Sequence, residues 1–222
     1  METPTQPAST TTFQGFYAIL DTGYIGDAQW EYTAQALLAG GARLLQIRAK
    51  GHPLESTREL VERVLPVAHD FDVPLIVNDH LPLAVEIPGV GLHLGQEDGS
   101  IREARQALGP NRILGLSTHS LEQAREAIAM GDLLSYFAVG PVFATATKPD
   151  YKPVGLRLVR DVRALQPPLP FFCIGGINRQ NARNVLEAGA TGIVSVSDPL
   201  EAPDTEVAAR EITRLTNTCP GA

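Results

Sequence analysis

The densest run of anion-binding chemistry in this chain is Gly140-Pro-Val-Phe-Ala-Thr-Ala-Thr-Lys148. Small residues let a backbone approach a ligand closely, the hydroxyls of Thr145 and Thr147 can bond anionic oxygens, and Lys148 adds a point charge. An ordinary polar connection between a strand and a helix reads the same way, so the loop gains meaning only from what accompanies it. Gln46, Arg48 and Lys50 alternate with Ile47 and Ala49 at the end of another apolar run, a pattern that strand geometry brings to one face. Two cations and an amide there suit a pyrophosphate, with a solvated basic edge as the plain alternative.

Acidic residues follow the next two runs. Asn78, Asp79 and His80 end one, and Gly95-Gln-Glu-Asp98 follows the other. At adjacent strand mouths, Asp79 and Asp98 can share a hard divalent cation. Mg2+ takes few protein carboxylates and completes its shell with water and phosphate oxygens. Asp98 equally fits a cap for a helix starting near Ile101. Ser117 stands at a further strand exit, Gly175 and Gly176 at another, and Val196 and Ser197 at the last. The sequence holds no Gly-x-Ser-x-Gly elbow and no evident Cys–His pair. The histidines show no metal-ligand spacing, so His80, His93 and His119 read as structural or surface groups. This inventory suits charge stabilisation at a leaving group rather than nucleophilic catalysis.

Eight apolar runs must position these groups: 16–20, 44–47, 75–77, 91–94, 113–116, 136–139, 171–174 and 193–196. Most are separated by stretches of helical periodicity, which predicts parallel strands joined by crossover helices. Leu60, Val61, Val64, Leu65 and Ala68 form one helical stripe, and Ser120 with Gln123 spells a capping box. The third helix is short, stopped by Pro88. A faint internal echo, helix end then Gly then buried strand, recurs at 37–47, 130–139 and 186–196. In a chain of 222 residues the pattern predicts an α/β fold, a single-domain (β/α)8 TIM barrel over 14–217, near the lower size limit of that architecture. A Thr- and Pro-rich disordered tail at 1–13 and a short tail at 218–222 complete the expected organisation. A doubly wound open sheet is the competing topology, but no Gly-x-Gly-x-x-Gly follows the first strand. In a barrel the loops after strands 7 and 8 are the usual phosphate cradle, which gives Gly175, Gly176, Val196 and Ser197 their meaning.

A net charge of -7 argues against nucleic acid as partner. No apolar run is long enough to span a bilayer. The two cysteines, Cys173 and Cys219, fit no metal spacing. Cys173 reads as inert core and the chain as cytoplasmic; a homo-oligomer is compatible with the sequence.

Taken in order, Gln46-Ile-Arg-Ala-Lys50, Val77-Asn-Asp79, Gly91-Leu-His-Leu-Gly-Gln-Glu-Asp98, Gly115-Leu-Ser117, the 140–148 loop and Ile174-Gly-Gly-Ile177 resemble the motifs of the thiamine-phosphate synthase family. The resemblance covers roughly 16–200. It implies a (β/α)8 barrel that joins hydroxymethylpyrimidine diphosphate to a thiazole phosphate, releasing pyrophosphate and giving thiamine phosphate. It implies that Gln46, Arg48, Lys50, Asn78, Ser117 and Lys148 hold the pyrimidine diphosphate. Asp79 and Asp98 would bind Mg2+, and Thr145, Thr147, Gly176, Val196 and Ser197 the thiazole phosphate. It further implies that the pyrimidine C–O bond breaks first, so the thiazole nitrogen attacks without a general base. Departures from the family pattern fall at Ala49, His80 and 195–199. A thiazole tautomerase and a non-catalytic regulator that binds thiamine precursors are the alternatives; both lines of barrel lose the metal carboxylates that this chain keeps.

Overall fold

The computed structural model describes residues 13–145 and 152–218. All eight apolar runs become strands, alternating with helices: β1 (Gly15–Asp21), α1 (Trp30–Ala39), β2 (Leu44–Arg48), α2 (Leu54–Asp70), β3 (Leu75–Asn78), α3 (Leu81–Glu86), β4 (Gly91–Leu94) and α4 (Ile101–Leu108). The second half continues with β5 (Leu114–Thr118), α5 (Leu121–Ala129), β6 (Tyr136–Val139), α6 (Gly155–Ala164), β7 (Phe171–Cys173), α7 (Ala182–Glu187), β8 (Gly192–Ser195), α8 (Ser197–Leu200) and α9 (Thr205–Thr218). Each strand pairs in parallel with its sequence neighbours, and β8 returns to β1 to close a barrel. The expected (β/α)8 architecture is therefore the one observed.

Side-chain alternation divides the interior in two. One parity of each strand faces the helices: Phe16, Ala18 and Leu20 of β1, Leu45 and Ile47 of β2, and Phe137 and Val139 of β6 pack there with the stripe Leu60, Val61, Val64 and Ala68 of α2. The other parity fills the lumen with Tyr17, Ile19, Leu44, Ile76, Tyr136, Phe172 and Val194. Cys173 lies in the outer layer, fully buried, where burial pushes its thiol far above the ordinary range and leaves it inert.

Phe13, the first described residue, stacks its ring on Tyr136 with centroids 5.6 Å apart. Two local expectations are corrected. The capping box ahead of α5 is half made. Ser120 Oγ accepts from the Gln123 N–H at 3.1 Å, but Gln123 Oε1 reaches one residue further back, to the His119 N–H at 2.7 Å. At the start of α4 the capping oxygen belongs to Ser100, which accepts from the Glu103 N–H at 3.4 Å; Asp98 is occupied elsewhere.

Filling a narrow lumen with large rings demands vacancies on facing strands. A Cβ on Gly115 of β5 would lie 2.3 Å from Tyr136 Cζ and 2.6 Å from His93 Nδ1. One on Gly192 of β8 would lie 2.5 Å from both the Gly15 carbonyl oxygen and Phe172 Cε1. These glycines are needed for space, not for unusual backbone angles. Gly115→Ala should accordingly lower stability by about 1–3 kcal/mol through overpacking. Urea unfolding checks this; an unchanged midpoint would show that Tyr136 and His93 yield freely.

Candidate active site

Both the side chains that point up the lumen and the loops that leave the strands converge on one cleft at the C-terminal end of the barrel. It encloses about 860 Å³, open solvent at its mouth included. Of the residues singled out in the sequence, Gln46, Arg48, Asn78, Ser117, Thr145, Gly175, Gly176, Val196 and Ser197 line it. Three others do not. Strand β2 ends at Arg48 and the chain turns, with the Ala49 carbonyl accepting from the His52 N–H at 3.2 Å, so the alternation stops short of Lys50, which is exposed. Asp79 and Asp98 lie at the exits of β3 and β4, adjacent strands as expected, but outside the cleft lining. Thr147 and Lys148 lie outside the described residues.

Arg48 is held by a residue the motif reading passed over. Register pairs Asp21 of β1 with Arg48 of β2, and Arg48 Nη1 meets Asp21 Oδ2 at 2.5 Å. The other carboxylate oxygen accepts from the Gly23 N–H at 2.8 Å. The signal was present in the sequence, since Tyr17, Ile19 and Asp21 share a parity, but a lone acid at the end of an apolar run does not announce its partner. The side chains are only 11% and 4% exposed, which puts the pair in the class where loss of one partner strands a charge. Asp21→Ala should cost about 3 kcal/mol of stability, read as a lower urea midpoint; a midpoint within error of the parent would mean that Arg48 finds water or another acceptor.

Deeper in the lumen a row of polar groups links Gln46 to Ser117 through Tyr17, Tyr136 and His93, a linkage the motifs do not express. Gln46 Nε2 donates to the Tyr17 hydroxyl at 2.5 Å, which meets the Tyr136 hydroxyl at 2.8 Å. Tyr136 in turn meets His93 Nδ1 at 3.0 Å, and His93 Nε2 meets Ser117 Oγ at 2.9 Å. Burial raises both phenols above their ordinary value of 10.0; hydrogen bonds from Tyr136 and Gln46 work the other way at Tyr17, while the Tyr17 neighbour adds to the rise at Tyr136. With folded values raised, the stability gained by keeping these phenols neutral is fully present below pH 10 and lost as pH climbs above it. In a spectrophotometric titration, two of the chain's five tyrosines should ionise only together with unfolding; five phenolates appearing while far-ultraviolet dichroism stays native would contradict the burial.

The far wall of the cleft is backbone. Gly175 and Gly176 take φ of 102° and 61°, values open to Gly at little cost. A Cβ at Gly176 would also sit 2.4 Å from the Ala144 carbonyl oxygen. Four successive carbonyls here are met by protein donors. Ile174 and Gly175 accept from the N–H groups of Val142 and Phe143, Gly176 from Asn181 Nδ2 at 2.8 Å, and Ile177 from Ser195 Oγ at 2.8 Å. That leaves the N–H groups of the turn, with those at Val196 and Ser197 opening α8, as the polar backbone atoms able to meet a ligand, an arrangement suited to phosphate. The start of the loop leaving β6 lies beside it: Val154 and Gly155 donate to the carbonyls of Pro141 and Val142 at 2.8 and 3.1 Å, so the chain leaves and returns at the cleft rim.

For a metal, the donor set is sparse. Asp98 Oδ2 accepts from the Gly95 N–H at 2.8 Å, and Asp79 holds a left-handed φ of 65° at its strand exit. Among the described residues no group of three or more His, Cys, Asp or Glu is gathered. Carboxylate oxygens are the donor chemistry of a hard divalent ion, which takes few of them and completes its shell with water.

Fold and site thus define a (β/α)8 barrel whose ligand cleft pairs side-chain donors on one wall with backbone donors on the other. Residues 16–198 match the thiamine monophosphate synthase family. The thiamine-phosphate synthase of Roseiflexus sp. (strain RS-1) is 39% identical over 197 residues, spanning 88% of this chain and 82% of that protein. The one from Chloroflexus aurantiacus is 38% identical over 203 residues, spanning 90% and 91%. The solved structure of thiamine phosphate pyrophosphorylase from Pyrococcus furiosus superposes with a TM-score of 0.85 at 30% identity, covering 96% of this chain and 100% of that one. This chain belongs to the thiamine monophosphate synthase family. Among the described residues no helix is long and apolar enough to cross a membrane.

Proposed function

We propose that this chain joins hydroxymethylpyrimidine diphosphate to a thiazole phosphate, with release of pyrophosphate, and that the reaction uses Mg2+. The observation that carries the reading is the two-walled cleft in a chain of this family. Gln46, Arg48, Asn78 and Ser117 on one wall take the diphosphate, joined by Lys50 and Lys148. Gly175, Gly176, Val196 and Ser197 on the other take the thiazole phosphate, with Thr145 and Thr147 from the 140–148 loop. Asp79 and Asp98 would hold the metal, and bound Mg2+ supplies positive charge to the diphosphate oxygens.

Charge grows on those oxygens as the bond from the pyrimidine methylene carbon to the leaving oxygen breaks. The Arg48 guanidinium, oriented by Asp21, donates to them where the charge develops, an electrostatic contribution that needs no proton transfer. The thiazole nitrogen then closes on the methylene carbon with its own lone pair. That step requires no base, in keeping with a lumen whose phenols are held neutral. The seated thiazole phosphate fixes the direction of approach, which converts the second step into an oriented encounter.

Incubation of the purified protein with both substrates, followed by chromatographic assay of thiamine phosphate, tests the proposal. Product should form with Mg2+, stop with EDTA and return when Mg2+ is restored. Full turnover in EDTA would remove the role of Asp79 and Asp98, and no product with any divalent ion would reject the reading altogether.

A further inference from the structure

The row from Gln46 to Ser117 has a direction, and the direction decides what Ser117 offers the cleft. Each hydroxyl owns one proton, and a neutral imidazole donates from one nitrogen while accepting at the other. Gln46 Nε2 donates to the Tyr17 hydroxyl, whose other hydrogen-bond partner is the Tyr136 hydroxyl, so satisfying the buried Tyr17 proton sends it to Tyr136. Tyr136 therefore donates to His93 Nδ1, which as an acceptor carries no hydrogen. The imidazole proton is left on Nε2, and it goes to Ser117 Oγ. Ser117 accepts within the protein, and its own proton remains for the cleft. The rings are held as a unit: His93 stacks on Tyr136 with centroids 5.6 Å apart, and Tyr136 stands edge-on to Tyr17 at 5.7 Å. Away from water such a row is stiff and its members polarise one another.

We propose that Tyr17, Tyr136 and His93 are positioning residues that hold the Ser117 hydroxyl as a donor toward the cleft, so that the substrate atom matched to Ser117 is a hydrogen-bond acceptor. The identity of that substrate rests on the reading above, in which Ser117 meets the pyrimidine diphosphate. Acceptor-only groups, such as diphosphate oxygens or an unprotonated ring nitrogen, are matched by this arrangement. A ligand presenting an N–H or O–H at the same point would have to take the second lone pair of Ser117 Oγ and would leave the Ser117 proton without an acceptor. A site built around one polarity discriminates strongly because a mismatch strands a buried polar group. Turning the Gln46 amide by half a rotation would reverse every bond in the row and move the imidazole proton to Nδ1, so the tautomer of His93 reports the sense directly.

Nitrogen-15 NMR of histidine-labelled protein without substrate measures that tautomer, the His93 signal being assigned by its loss in His93→Gln. The proposal expects the proton on Nε2, and a proton on Nδ1, a doubly protonated ring or an even mixture overturns it. Tyr136→Phe, which keeps the ring and removes the donor, should erase the preference. In steady-state kinetics Tyr136→Phe and Ser117→Ala should each raise KM for the diphosphate substrate roughly 10-fold, the size of one hydrogen bond, with KM for the thiazole phosphate unchanged. The double variant should be no worse than Ser117→Ala alone, because both changes remove the same interaction. Additive losses, or equal losses toward both substrates, would mark Tyr136 as packing only. Since the NMR measurement needs no turnover, a protein without synthase activity would sink the proposed reaction and still answer the question of the tautomer. Should Tyr136→Phe fold poorly, the parent spectrum by itself decides.

Discussion

Return of β8 to β1 is the constraint from which the rest follows. A closed parallel sheet has no edge, so every strand's alternation refers to one shared interior. A side chain is committed either to the layer under the helices or to the lumen, and no strand can slip by one residue without turning its whole set inside out. The lumen is too narrow for bulk from every strand. Tyr17, Tyr136 and Phe172 supply it, and Gly115 and Gly192 yield to it. The aromatic rings then plug the barrel below the cleft and form its floor.

Climbing a strand by two residues raises the inward side chain by roughly 6.6 Å, and polarity rises with it. On β2 the sequence of inward groups is Leu44, Gln46, Arg48; on β3 it is Ile76, Asn78. Apolar groups sit lowest, then neutral hydrogen-bonding groups, and ions only at the rim. Desolvation explains the order. A phenol or an amide is tolerated in the lumen when its partners are present, whereas a guanidinium needs a carboxylate and access to water or ligand. Asp21 and Arg48 meet these terms at the top of β1 and β2.

The opposite wall uses a different means to the same end. Its donors are peptide groups, and they become available because neighbouring carbonyls are bonded to protein, by Asn181 and Ser195 side chains and by the loop leaving β6. Peptide donors are fixed by the fold and carry no counter-charge to be desolvated, which suits a phosphate that must be gripped while the chemistry occurs elsewhere. In the proposed reaction the two walls would divide labour: a carboxylate-held guanidinium where charge develops, peptide dipoles where it does not.

Much of this was legible without coordinates. Eight apolar runs of strand length, separated by helical periods, determine the element order, because burying a stripe and alternating a strand both leave a period in the chain. The family motifs mark Gln46, Arg48, Asn78, Ser117 and Gly175, whose chemistry is local to a strand exit. What the sequence could not express is which exits face one another. Asp21 reaches Arg48 because β1 and β2 are in register, and Tyr17, Tyr136 and His93 meet only because the sheet closes and brings positions 119 and 43 residues apart to hydrogen-bonding distance. Lys50 shows the converse: alternation holds only as long as the strand does, and the turn after Arg48 ends it. Periodicity is a property of one segment, and it was readable; convergence is a property of several segments at once, and closure of the barrel decided it.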